Sequence, residues 1–132
     1  MISQDRMKAV LQAYVDGLNA GDADAVIALF APDAVIEDPV GTPEKRGAEI
    51  AAWFRRAAEM RARLELSTPI RGSHGLAAAM AFTVITRFDG KLRKTRSLDT
   101  VRLDEQGRII RLEGYWGPED VEVRADPEGD AR

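Results

Sequence analysis

Leu76-Ala77-Ala78-Ala79-Met80-Ala81-Phe82-Thr83-Val84-Ile85-Thr86-Arg87-Phe88 is a long, mostly apolar run that stops at Asp89-Gly90, and Lys91 to Leu103 follows it. An Asp-Gly pair between two extended runs is a strong signal for a two-residue hairpin. A second loop, Asp104-Glu105-Gln106-Gly107, leads into Arg108 to Trp116. Three strands joined by two short loops form an antiparallel meander. A shorter strand, Leu64 to Ile70 with a bend at Pro69, precedes them.

Upstream the period is helical. Met7, Val10, Leu11, Tyr14, Val15 and Leu18 recur at three- and four-residue spacing and make one apolar face. Ser3 caps this helix and Gly21 ends it. Asp22 caps a short second helix carrying Val26, Ile27, Leu29 and Phe30. Pro32-Asp33 turns the chain into an opening strand, Thr42 to Arg46 is a loop, and a third helix spans about Gly47 to Arg63. Three helices followed by a paired antiparallel sheet predict an α+β domain with helices on one sheet face. A curved sheet closing over them makes a cone with a pocket inside.

The chain has 132 residues, enough for one domain with a real core. Residues 1–123 form that domain, and 124–132 read as an acidic, mobile tail. The net charge of −3 is spread among interspersed lysines, arginines and acids, so no basic surface for nucleic acid is expected. There is no cysteine, which removes disulfides and thiolate chemistry. The charged start and the lack of a long apolar run predict a cytoplasmic protein without membrane attachment. The one histidine, His74, sits in a Gly-Ser-His-Gly turn. Acid–base chemistry therefore falls to carboxylates, tyrosines or lysines, and no metal site is expected.

Two carboxylates break the pattern. In Ala34-Val35-Ile36-Glu37-Asp38-Pro39-Val40, alternation puts Asp38 with Ala34, Ile36 and Val40, and Glu37 with Val35 on the other side. Asp99 likewise shares a face with Val101 and Leu103, opposite Leu98, Thr100 and Arg102. A carboxylate that loses its hydration gains a higher pKa. Asp38 thus reads either as a general base at a strand end or as a turn residue before proline. Asp99 reads either as a neutral hydrogen-bond donor or as the partner of Arg96 or Arg102. Tyr14 brings a phenol out of the apolar face of the first helix, and a buried hydroxyl needs a partner. Phe82, Met80 and Val84, together with Trp116, sit on strand faces that suit either a pocket wall or plain core, and Trp53 and Phe54 suit helix-to-sheet packing.

At these residues the chain resembles the bacterial ketosteroid isomerases of the NTF2-like, SnoaL-like superfamily. Three segments carry the likeness: Ala13-Tyr14-Val15 through Asp22, Val26 through Gly41, and Leu98-Asp99 through Arg108. The resemblance implies a conical fold of three helices on a curved, mixed but mainly antiparallel sheet, and a homodimer. It implies a cofactor-free steroid Delta-isomerase that converts 3-oxo-Δ5-steroids to 3-oxo-Δ4-steroids. Asp38 is then the general base, and Tyr14 and Asp99 are the two oxyanion-hole donors. Trp116, Phe82, Met80, Val84 and Phe54 would line the steroid site. Some members add further tyrosines around the first; here Phe30 and either Phe54 or Arg55 hold those places. Other enzymes of the superfamily, polyketide cyclases and epoxide hydrolases, and a non-enzymatic binding module stand as rivals.

Overall fold

The computed structural model describes residues 2–128. Helix α1 (Gln4–Asn19) starts where the Ser3 hydroxyl accepts the Arg6 backbone N–H, and it buries Met7, Val10, Leu11, Tyr14 and Val15. Its last turn closes with Gly21 N–H on Leu18 O and Asp22 N–H on Gly17 O. Asp22 then caps α2 (Ala23–Ile27). Helix α3 (Ala48–Glu59) buries Ile50 and Phe54.

The third helix ends four residues before the expected Arg63, for a definite reason. Arg61 adopts a left-handed conformation (φ 52°), and its N–H bonds Ala58 O while Ala62 N–H bonds Ala57 O. This is the same Schellman closure that ends α1, built on arginine where glycine is usual.

Seven strands follow the order β2 (Lys45–Arg46), β1 (Phe30–Glu37), β6 (Ile109–Tyr115), β5 (Lys91–Leu103), β4 (Ala77–Phe88), β3 (Arg63–Leu66), with β7 (Val121–Ala125) on β5. The sheet is mixed and open, not a closed cone. β4, β5 and β6 form the expected antiparallel meander, and β1 adds to β6 in parallel. β5 is long enough to use one edge twice. Residues 98–103 pair with β6, and 91–95 pair with β7. Asp89 and Gly90 both have positive φ, as a primed two-residue hairpin turn requires.

Several boundaries differ from the sequence reading. β1 begins at Phe30, and Pro32 lies inside it. The strand tolerates a residue without an N–H because its pairing with β6 is interrupted between Phe30 and Val35. The stretch expected to be loop contains β2, which pairs Lys45 and Arg46 with β1. β3 stops at Leu66, and Arg71 makes an isolated bridge to Ala79. The expected tail does not start at 124: β7 runs through Ala125, and the Asp126 carboxylate is buried against Arg87 at 2.8 Å. Residues 129–132 of that tail lie outside the described residues.

One apolar core joins the inner faces of α1 and α3 to β1, β4, β5 and β6, through residues such as Leu11, Phe54, Ile36, Met80, Val101 and Leu112. Asn19 ties the end of α1 to β3, donating to Leu64 O at 3.0 Å and accepting Leu64 N–H at 2.7 Å. No helix among the described residues is long and apolar enough to cross a membrane.

Candidate active site

A cavity of about 860 Å3, counted with its open mouth, lies between α1, α3 and the inner sheet face. Much of that space is the mouth, and the enclosed part is about 190 Å3. Tyr14, Asp38 and Asp99 all reach it, from α1, the end of β1 and the middle of β5. Phe54, Phe82, Val84 and Trp116 line its walls. Met80 does not. It faces the same way as Phe82 and Val84 but is 2% exposed, locked in the core.

Asp99 is 1% exposed, between the buried neighbours its strand alternation predicts. Neither Arg96 nor Arg102 pairs with it; Arg96 turns outward to Glu122 and the Glu119 carbonyl. Among the described residues its one side-chain partner is Ser97, which donates to Oδ1 at 3.3 Å. Burial, and then the charge of Asp38, push the Asp99 pKa well above the usual carboxylate range. Loss of hydration at such a position favours the neutral carboxyl over the carboxylate.

Asp38 differs in degree. Burial raises its pKa too, but the Trp116 indole N–H donates to Oδ1 at 3.0 Å and Lys45 adds positive potential, and both oppose the rise. The rise at Asp38 is thus opposed by two groups, and the rise at Asp99 by the Ser97 hydroxyl alone. Val40, expected on the inner face with Asp38, is 42% exposed. β1 ends at Glu37, the Asp38–Pro39 peptide is cis, and Val40 N–H bonds Gly114 O at 2.8 Å instead.

The Tyr14 hydroxyl accepts and donates no side-chain hydrogen bond among the described residues. Burial foremost, then the negative charges of Asp99 and Asp38, keep its pKa well above 10. It is a donor at any physiological pH. Phe54 meets the Tyr14 ring edge-on at 5.7 Å between centroids, and Phe30 packs on Phe54 at 5.4 Å. Arg55 points outward to Asp24. Phe54 and Phe30 therefore surround the phenol with rings that carry no hydroxyl, and no tyrosine network extends behind it.

Gly114 is a site residue that periodicity did not reveal. It lies opposite Asp99 in the β5–β6 ladder, and a Cβ there would run into the Asp38 carboxylate. The missing side chain lets Asp38 rest on the strand next to Asp99. The Trp116 contact to Asp38 also had no sequence signal, since the two are 78 residues apart. Arg93, Thr95 and Ser97 line the cavity as well. Period-two alternation carried back from Asp99 puts all three on its face, so that signal was present. His74 is exposed and away from the cavity. Among the described residues no cluster of acids or histidine is arranged to hold a metal ion.

The SnoaL-like domain family matches residues 11–112. The chain is 33% identical over 118 residues to a steroid Delta-isomerase of Nocardioides simplex, across 89% of this chain and 94% of that protein. It is 30% identical over 128 residues to the epoxide hydrolase LasB of Streptomyces lasalocidi, across 93% of this chain but 45% of LasB, so it spans less than half of that protein. The solved structure of the epoxide hydrolase/cyclase-like enzyme SalBIII, described for its role in pyran ring formation in salinomycin, aligns with a TM-score of 0.84 at 25% identity. That alignment covers 91% of this chain and 97% of SalBIII. The fold is thus NTF2-like, and these relatives are enzymes.

Proposed function

The chain belongs to the SnoaL-like domain family, and from that membership we propose that it is a cofactor-free steroid Delta-isomerase acting on 3-oxo-Δ5-steroids. One observation carries the reading: two carboxyls, both raised by burial but only Asp38 opposed by an indole hydrogen bond and a lysine, converge with a phenol on one largely apolar cavity. The ketosteroid isomerases are themselves the reference case for a carboxylic acid kept neutral by an apolar site.

In this reading ionised Asp38 takes a proton from C4 of the bound steroid. The C–H electron pair moves into the ring system, and the C3 oxygen becomes a dienolate. Tyr14 and protonated Asp99 donate hydrogen bonds to that oxygen, where charge develops and fixed donors stabilise most. Asp38 then returns the same proton to C6, and the double bond rests between C4 and C5. No proton is consumed and no electron leaves. Trp116 holds Oδ1 of the base, so Oδ2 serves both carbons.

The similarity to LasB and SalBIII favours a second reading, the opening of an epoxide. There Asp99 would protonate the epoxide oxygen while Asp38 takes the proton of the attacking hydroxyl. The test is direct. Purified protein is mixed with 5-androstene-3,17-dione and the absorbance of the conjugated enone is followed. Enone formation that depends on Asp38, Tyr14 and Asp99 supports the isomerase. No enone above the buffer rate, with turnover of an epoxy alcohol, supports the second reading.

A further inference from the structure

The inner face of β5 carries a polar row, Arg93, Thr95 and Ser97, that the proposed chemistry leaves unused apart from Ser97. Arg93 is half-buried on the cavity wall. Its Nε is buried without a hydrogen-bond partner, and among the described residues no carboxylate lies within ion-pair distance of its guanidinium. Thr95, next along the row, is 5% exposed and makes no side-chain hydrogen bond among the described residues. The other arginine on the cavity, Arg56, is exposed and already engaged by Glu59 at 3.4 Å.

A buried guanidinium N–H left without an acceptor in a mainly apolar wall is costly. The cavity offers it no acid besides Asp38 and Asp99. Asp38 is kept apart by the indole of Trp116. The guanidinium sits over that ring, 5.4 Å from its centroid, while the carboxylate takes the ring N–H. Arg93 is six residues along β5 from Asp99, about 20 Å of strand from the end where the reacting carbonyl would bind. A guanidinium presents a planar fork of N–H donors that matches a carboxylate.

Taking the isomerase reading to fix which end of the ligand meets Asp99, we propose that the substrate is a fused-ring ketone bearing a carboxylate at its far end, and that Arg93 receives that carboxylate with Thr95 beside it. Arg93 is then the specificity residue of the site, selecting acidic steroids over neutral ones.

The experiment is a binding titration, read by tryptophan fluorescence, with 3-oxochol-4-en-24-oic acid and its methyl ester. The wild-type protein binds the acid about tenfold or more tighter than the ester. Arg93→Gln brings the ratio close to one, Arg93→Lys keeps part of it, and Arg96→Gln, on the outer face, keeps all of it. Ester binding by each variant reports an intact cavity. A wild-type ratio near one, or a ratio that survives Arg93→Gln, overturns the proposal. If Arg93→Gln fails to fold, the wild-type ratio and Arg93→Lys decide. An Arg93-dependent preference without enone formation from 5-androstene-3,17-dione keeps the anion site and overturns the isomerase reading. Binding of neither ligand overturns both.

Discussion

Glu37 and Asp38 are neighbours in sequence, as are Glu113 and Gly114, yet the two faces of this strand pair handle acids in opposite ways. On the outer face Arg111 gathers three carboxylates, Glu37 at 2.9 Å, Glu44 at 3.0 Å and Glu113 at 3.0 Å. Hydrogen bonds from Arg46 and Arg111 hold Glu44 below its usual pKa, and Arg111 does the same for Glu113. On the inner face Asp38 and Asp99 have no arginine, and burial drives both upward. The lesson is physical. Acidic side chains are paired ions on one side of the sheet and carboxyls raised by burial on the other, and the difference is the solvent and the partner, not the backbone.

The comparison breaks most visibly at the adjacent acids. Asp38→Asn should lower isomerase kcat by about 10³- to 10⁴-fold, the scale of a general base. Glu37→Gln should stay within roughly threefold, since it weakens a partly exposed ion pair while its amide oxygen can still accept the Gly41 N–H. Enone absorbance under saturating substrate checks both, and equal losses would erase the distinction between the faces.

Asp99→Leu comes next. It removes one oxyanion donor and should lower kcat by about 10²- to 10³-fold. Its stability should move the other way. The folded pKa of Asp99 lies above the unfolded value of about 3.9, so its stabilisation is full below that value and is lost as pH rises through the folded pKa. At pH 7 the variant should therefore melt at or above the wild-type temperature, and the gap should narrow towards pH 4. Arg111→Leu should instead lower stability by about 1–2 kcal/mol, because it leaves three acids facing one another. Thermal melts of the two variants at both pH values decide.

Gly114→Ala tests the placement of the base without touching it. The added Cβ competes with the Asp38 carboxylate for space, and a shift of about 1 Å should lower kcat by about 10²-fold. Glu113→Ala, one residue away on the outer face, should leave kcat within a fewfold. The smallest effect belongs to Trp116→Phe. It removes the hydrogen bond that lowers the Asp38 pKa, so the acidic limb of the kcat–pH profile should move to higher pH. The alkaline limb, set by loss of the Asp99 proton, should stay in place.

Much of this was legible beforehand. The meander was visible because Asp89-Gly90 permits one kind of turn and both flanking runs alternate. Asp38, Asp99 and Tyr14 were visible because each is a polar residue in an apolar period, and that contradiction survives any error of a residue or two in strand ends. The end of α3 was hidden because its left-handed residue is Arg61 and not glycine. β2 was hidden because two residues carry no period. Gly114 and the Trp116 contact were hidden because their meaning lies across strands, in what a side chain would strike or reach. Arg93 was readable by the alternation that marked Asp99, but a lone arginine near a turn reads as surface until the cavity is drawn around it.

Asp99 should hold its proton at pH 7 while Asp38, just past the end of β1 and across β6 from it, gives its own up. Infrared difference spectra in heavy water measure this directly through the C=O stretch of a protonated carboxylic acid. The wild-type protein should show that band at pH 7, Asp38→Asn should keep it, and Asp99→Leu should lose it. A wild-type spectrum without the band, or a band that persists in Asp99→Leu, would contradict the division of roles between the two acids.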